Sequence, residues 1–316
     1  MIDLSMGVMK DSLPEHVLQR FKEECFAGVS RYPNYEELSS RLASRLGAEH
    51  VALTAGVDSS ISVLSRAYGK DIVIFPPTYY EYFHTPKRNG ITVSEVNCFD
   101  GENYSLPADA SGRSLVFLAN PNNPFGVPTQ KEIRELVSST DGVIAVDEAY
   151  IDFGGESAAP LLKDFENLVV LRSFSKGFGL SGARVACIAG AKSVVEKASS
   201  LNQFFPASSV SVNMALIALE EEDLFRNMRD AVMHRKKGFE EFLAGEGYRV
   251  MPSSTLVTVV KFPSDKEATS FREKLKGAGI IVGQGDGISC YGLDDSFVRI
   301  NAGLEEELAA LKKALP

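Results

Sequence analysis

The stretch LRSFSKGFGLSGAR, residues 171–184, sets a single lysine, Lys176, among serines, glycines and phenylalanines, with Arg184 eight positions later. A lysine amine is a nucleophile toward carbonyl carbons. Small neighbours leave room for a bulky carbonyl compound to approach it. Taken alone, a lysine in such a loop is more often a solvated side chain, so the reading depends on what else the chain provides.

The commonest carbonyl held as a Schiff base on lysine is pyridoxal phosphate, and that cofactor makes definite demands. Its pyridine nitrogen stays protonated only against a carboxylate. Asp147, at the end of the apolar run VIAV, is placed to be that group. The ring's phenolate oxygen wants hydrogen-bond donors, for which Asn123 in NPNNPFG and Tyr150 in DEAY stand ready. The phosphate wants hydroxyls, a cation and helix-start amides. Ser173, Ser175 and Arg184 supply the first two, and the turn Gly56-Val57-Asp58 supplies the amides of Val57 and Asp58. An aromatic face for the ring comes from Tyr79 in PPTYYEY. Each residue also has a plainer reading: Asp147 as a helix cap, NPNNPFG as an ordinary turn, Tyr79 as core. Their ordered conjunction favours the chemical one.

These residues need elements to hold them. Short β-rich runs, HVALT, DIVIF, ITVSEV, SLVFLAN, GVIAVDE, NLVVLRS and RVACIAG, alternate with helical patterns through the first two thirds of the chain. Such alternation predicts a mainly parallel sheet with helices on both faces, a three-layer α/β domain. Leu38, Leu42 and Leu46 line one helical face that Gly47 stops, and Thr129 with Glu132 forms a capping box. Ligands of open parallel sheets sit outside the carboxyl ends of the strands. The segments LTAGVDSS, ANPNNPFG, DEAY and SFSK all follow strands. Beyond about residue 208 long helices give way to strands TLVTVVKF, GIIVG and FVRINAG, a second and smaller α/β domain. The expected division is 1–30 as an N-terminal segment packing with the small domain, 31–215 as the large domain and 216–316 as the small one.

The motifs RYPNYEEL, PPTYYEY, NPNNPFG, VDEAYIDF and SFSKGFGLSGAR, in that order, resemble the class I/II aminotransferases of pyridoxal-phosphate fold type I. Among these they are most similar to the histidinol-phosphate aminotransferase branch. The resemblance implies that Lys176 is the Schiff-base lysine, that Asp147 pairs the pyridine nitrogen, and that Tyr150 and Asn123 contact the phenolate oxygen. It implies that Tyr79 stacks on the ring and that Ser173, Ser175, Arg184 and the amides of Val57 and Asp58 hold the phosphate. Tyr32 of RYP is implied to reach that phosphate from the neighbouring subunit of a homodimer. Arg299 of FVRINAG matches the arginine that forks onto the substrate carboxylate, and Gly7 and Asn123 border the substrate. The expected activity is transfer of an amino group from an amino acid, or histidinol phosphate, to a 2-oxo acid such as 2-oxoglutarate. Decarboxylases and carbon–sulfur lyases share the scaffold, and a non-catalytic pyridoxal-phosphate-binding protein is a further alternative. Arg299 beside Lys176 argues against that last one. Where the branch commonly carries GIIVR, with a second arginine for the substrate phosphate, this chain has Gly283.

Composition limits the remaining possibilities. The chain has 316 residues, 44% of them apolar, and a formal net charge of -9 without clustered cations. That charge disfavours nucleic acid and anionic membranes as partners. Cys25, Cys98, Cys187 and Cys290 form no CxxC pair and the histidines no ligand spacing, so a reducing cytosol and no metal are expected. The N-terminus carries neither the basic nor the apolar region of an export signal, and no run reaches the roughly 18 apolar residues of a spanning helix. GQGDG at 283–287 lacks the GxGxxG spacing of a dinucleotide loop and reads as a plain loop.

Overall fold

The computed structural model describes residues 1–107, 109–287 and 289–315. Among them the strands are, in chain order, β1 (Ile2–Leu4), β2 (His50–Thr54), β3 (Asp71–Ile74), β4 (Thr92–Glu95), β5 (Leu115–Ala119) and β6 (Val143–Asp147). They continue with β7 (Leu168–Ser173), β8 (Ala186–Gly190), β9 (Arg249–Met251), β10 (Val257–Lys261), β11 (Ile280–Gln284) and β12 (Phe297–Asn301).

Seven strands form one sheet in the order β2-β8-β7-β6-β5-β3-β4. Only β8 runs antiparallel to its neighbours. Every residue of β5, β6 and β8 is buried. Such double-sided burial is what continuous Val, Ile, Leu and Ala runs predict when helices cover both faces. On one face pack Ile61, Leu64 and Val195 from the helices Val57–Tyr68 and Lys192–Ser199. On the other pack Leu38 and Leu42 of the helix Glu36–Leu46 and Ile133 and Leu136 of the helix Gln130–Ser138. Gly47 ends the first of these in the left-handed region (φ 62°), and Thr129 and Glu132 close a capping box at the start of the second. Both boundaries are those the sequence predicts.

The second sheet has the order β1-β11-β12-β10-β9. Its core of Leu4, Phe239, Phe271, Leu275, Val298 and Leu308 is shared with the helices Glu222–Gly245, Asp265–Gly277 and Glu305–Ala314. The first thirty residues are divided between the two bodies. Ile2–Leu4 pairs in parallel with β11, whereas Val17, Phe21 and Cys25 join the core beside the large sheet. The chain between them, residues 5 to 14, passes the carboxyl ends of the large sheet's parallel strands. Among the described residues no helix is long and apolar enough to cross a membrane.

Candidate active site

The parallel strands deliver their ends to one place. Asp147 and Ser173 are the last residues of β6 and β7, and Asn123 and Lys176 follow β5 and β7 by a few residues. They converge on a cavity of about 580 Å³. Of the residues expected from the sequence, Gly7, Val57, Asp58, Tyr79, Asn123, Asp147, Tyr150, Ser173, Ser175, Lys176 and Arg184 line it. Tyr32 and Arg299 do not.

One end of the cavity is built for a small anion. The helix Val57–Tyr68 begins there; the Ser59 and Ser60 amides donate to the Gly56 carbonyl, whereas those of Val57 and Asp58 have no carbonyl a turn earlier to receive them. Arg184 donates to Asp58 through Nη2 at 3.0 Å, and the Ser175 amide donates to Ser173 Oγ at 3.0 Å. A Cβ on Gly56 would overlap the Arg184 guanidinium, so this glycine lets the cation lie against the helix start. Arg184 itself has φ 53°, and among the described residues no other non-glycine has positive φ. A side chain held in that sparsely populated region marks a place where surrounding structure dictates the backbone.

The other end suits a cationic ring. Asp147 is 5% exposed and, among the described residues, has no basic partner. Burial pushes its carboxyl up to about 6, although the Tyr82 hydroxyl and the Ala149 amide, at 2.6 and 2.9 Å, favour the ionised form. A protonated ring nitrogen against it would supply the missing positive charge. Asn123 donates through Nδ2 to the Ser289 carbonyl at 3.1 Å, while its Oδ1 is buried without a partner. The second Nδ2 hydrogen is the donor that a phenolate oxygen would need. Tyr79 stands edge-on to Tyr82, ring centres 5.6 Å apart, with its hydroxyl donating to Asp58 at 2.8 Å. Donor set, charge and shape all fit pyridoxal phosphate.

Lys176 Nζ donates to the carbonyl oxygen of Gly7 at 2.5 Å and lies 5.3 Å from the centre of the Tyr150 ring. The Tyr150 hydroxyl reaches the same carbonyl at 3.4 Å. A Cβ on Gly7 would stand 2.8 Å from that hydroxyl, so only glycine brings the N-terminal segment this close.

The family model for aminotransferase class I and II matches residues 1–315. The chain belongs to the class I and II aminotransferases. It is 31% identical over 296 residues to histidinol-phosphate aminotransferase 2 of Archaeoglobus fulgidus, spanning 91% of this chain and 84% of that one. The fold matches the histidinol-phosphate aminotransferase of Clostridium acetobutylicum with a TM-score of 0.88 at 22% identity, over 100% and 98% of the two chains. It also matches that of Sinorhizobium meliloti, solved in complex with pyridoxal 5'-phosphate, with a TM-score of 0.85 at 22% identity over 100% and 90%. The aminotransferase is accordingly a transferase of fold type I whose cofactor is pyridoxal 5'-phosphate.

Two expected residues lie outside the aminotransferase's cavity. Arg299 is buried on β12, donating to the Gln284 carbonyl at 2.8 Å and to the Ser289 hydroxyl. Ser289 in turn lines the cavity, so Arg299 stands one side chain behind the wall. Gly283 pairs directly with Arg299 across β11 and β12, which puts both side-chain positions on one face. A Cβ at 283 would meet the Ser5 and Arg299 carbonyl oxygens at 3.3 Å each, a tight fit that needs its neighbours to give by a few tenths of an ångström. Tyr32 is 79% exposed and stacks on Phe205, ring centres 4.3 Å apart.

Tyr82, Glu81 and Ser289 line the site without having been expected there. For Tyr82 the sequence holds only a weak signal, one of three tyrosines crowded into PPTYYEY after a strand. Ser289 carries no such signal.

Proposed function

We propose that this aminotransferase moves the amino group of an α-amino acid to a 2-oxo acid such as 2-oxoglutarate by a ping-pong route in which Lys176 is the working amine. Bound pyridoxal phosphate supplies an aldehyde that condenses with amines and a ring that accepts electrons from the bond being broken. Asp147 keeps the proton on the ring nitrogen: a carboxylate stripped of water gains most from a cation placed against it. Asn123 and Tyr150 donate to the phenolate oxygen, and Tyr79 covers the ring face. Ser173, Ser175, Arg184 and the amides of Val57 and Asp58 hold the phosphate. Lys176 Nζ, once free, would take the proton from the substrate's Cα and return it to the carbon on the far side of the amine nitrogen. Arg299 orients the substrate carboxylate once Ser289 yields its place, with Gly7 and Asn123 at the substrate's border. The observation that carries this reading is the convergence of Lys176, Asp147 and Arg184 on one cavity at the carboxyl ends of β6 and β7.

The active unit in this proposal is a homodimer, with Tyr32 completing the partner's phosphate site. In support, Tyr32 belongs to an exposed apolar group with Phe204 (88% exposed) and Phe205, the kind of patch that a second copy covers. Four buried, unpaired cysteines agree with a reducing cytoplasm. The test is a donor panel: the holoenzyme is mixed with single amino acids and scored for loss of the cofactor's visible absorbance and for oxo acid formed. An amino acid that bleaches the absorbance and yields carbon dioxide instead of oxo acid would contradict transamination.

A further inference from the structure

The backbone that carries Lys176 is gripped from two sides by residues outside the cavity. On one side Arg229, from the helix Glu222–Gly245, donates through Nη1 to the carbonyl oxygen of Gly177 at 3.1 Å. Its Nη2 donates to Glu222 at 2.9 Å, and its guanidinium carbon stands 5.7 Å from the centre of the Phe178 ring. On the other side the Asp152 carboxylate presses on Gly177, where a Cβ would overlap Oδ2. Asp152 is fixed in turn by Arg172, through Oδ1 at 2.8 Å, and Arg172 also pairs with Glu148, the neighbour of Asp147.

Arg229 is 5% exposed. Burying a guanidinium is costly, and an apolar side chain of similar length would be the ordinary choice for a helix packed on Phe178. Its fork joins the helix to the Gly177–Phe178 peptide, one residue beyond Lys176.

We propose that Arg229 is a positioning residue for Lys176, a proposal that rests on the reading of Lys176 as the cofactor-binding amine. That amine must hold the cofactor, let it go and then carry a proton. Its four-carbon side chain is flexible, so its arc is set by the backbone alone. The next residue is glycine, the one least able to fix its own conformation. Arg229 and Asp152 together immobilise it. The same helix carries Arg235, which donates to the Gly303 carbonyl at 2.6 Å and to Asp11 at 2.7 Å. One rigid element thereby ties the Lys176 loop to the chain just after Arg299 and to the segment that carries Gly7.

The experiment compares wild-type holoenzyme with Arg229→Met, Arg229→Lys and Arg226→Met, measuring kcat, donor KM, thermal unfolding and the visible circular dichroism of the bound cofactor. Arg226 is exposed on the same helix and pairs with Asp223. Loss of one hydrogen bond to a charged group corresponds to about a ten- to hundredfold fall in kcat. That fall is expected for Arg229→Met, with donor KM within about threefold and altered cofactor dichroism, because the substrate contacts are intact. Arg229→Lys, which keeps one donor, recovers part of both, and Arg226→Met matches wild type. If Arg229→Met does not fold, Arg229→Lys and Gly177→Ala carry the test, the latter disturbing the same peptide from the Asp152 side. Wild-type dichroism in the folded variants, with kcat unchanged or falling only with the folded fraction, overturns the proposal. Reductive labelling of a lysine other than Lys176 in wild type would instead overturn the reading on which it rests.

Discussion

The Tyr82 hydroxyl donates to Asp147 Oδ2 at 2.6 Å from beneath a fully buried ring stacked on Phe117. This is the strongest support Asp147 has for its charge before a cofactor arrives, since burial works against ionisation and Tyr82 works for it. Tyr82→Phe keeps the stacking and removes the donor. Cofactor affinity is expected to fall about ten- to hundredfold, the size of one hydrogen bond to a charged group, in a fluorescence titration of the apoenzyme. Unchanged affinity would mean that the ring nitrogen does not depend on Asp147 being ionised.

The same burial makes a statement about pH. Asp147 titrates at about 6 in the fold and at 3.8 when exposed, so the folded apoenzyme holds its proton more tightly than the unfolded chain. Its contribution to stability is therefore full below about pH 4 and lost as pH rises through 6. The loss amounts to about 3 kcal/mol for two units. Urea unfolding of the apoenzyme at pH 4 and pH 7, set against Asp147→Asn, isolates this group: wild type is expected to lose that much relative to the variant, whereas parallel curves would show that Asp147 stays ionised throughout.

Substrate choice turns on Gly283. Among the described residues lining the cavity the cations are Lys176 and Arg184, against the carboxylates Asp58, Glu81 and Asp147. Gly283 adds none, and the Ser5 carbonyl would crowd a Cβ there at 3.3 Å. A distal phosphate dianion finds no free partner there, so ordinary α-amino acids, aromatic or apolar ones included, are expected to exceed histidinol phosphate in kcat/KM. The comparison uses histidinol phosphate, phenylalanine, aspartate and glutamate as donors with 2-oxoglutarate. A preference of more than about tenfold for histidinol phosphate would show that another cation, such as Arg31 or Lys10, replaces the missing arginine.

The proposed sharing of sites through Tyr32 makes a prediction for mixed dimers. Lys176→Ala and Tyr32→Phe subunits, each impaired alone, are expected to regain activity on mixing because one hybrid site has both residues intact. A fully active monomer in light scattering would contradict the shared site.

The parts of the site that follow strands directly could be read from sequence: Asp147, Ser173 and Lys176 lie within a few residues of runs whose β-branched, doubly buried character announces them. Tyr82 was hidden because three tyrosines crowd PPTYYEY and only packing decides which one meets Asp147. Arg229 was beyond reach for a stronger reason. Its partner is a backbone carbonyl 52 residues away, and no side-chain pattern marks a carbonyl as wanted. β1 and β9 are three residues each, too short for periodicity to register. Arg299 was expected at the substrate carboxylate, and no pattern in FVRINAG signals that Ser289 stands between it and the cavity.

The central claim is that Lys176 holds the cofactor. Apoenzyme is loaded with pyridoxal phosphate, reduced with borohydride and digested, and the peptides are sequenced by mass spectrometry. The account predicts the reduced cofactor on Lys176 alone, with Lys176→Ala folded, unlabelled and without turnover. Label on any other lysine, or turnover retained by Lys176→Ala, would contradict it.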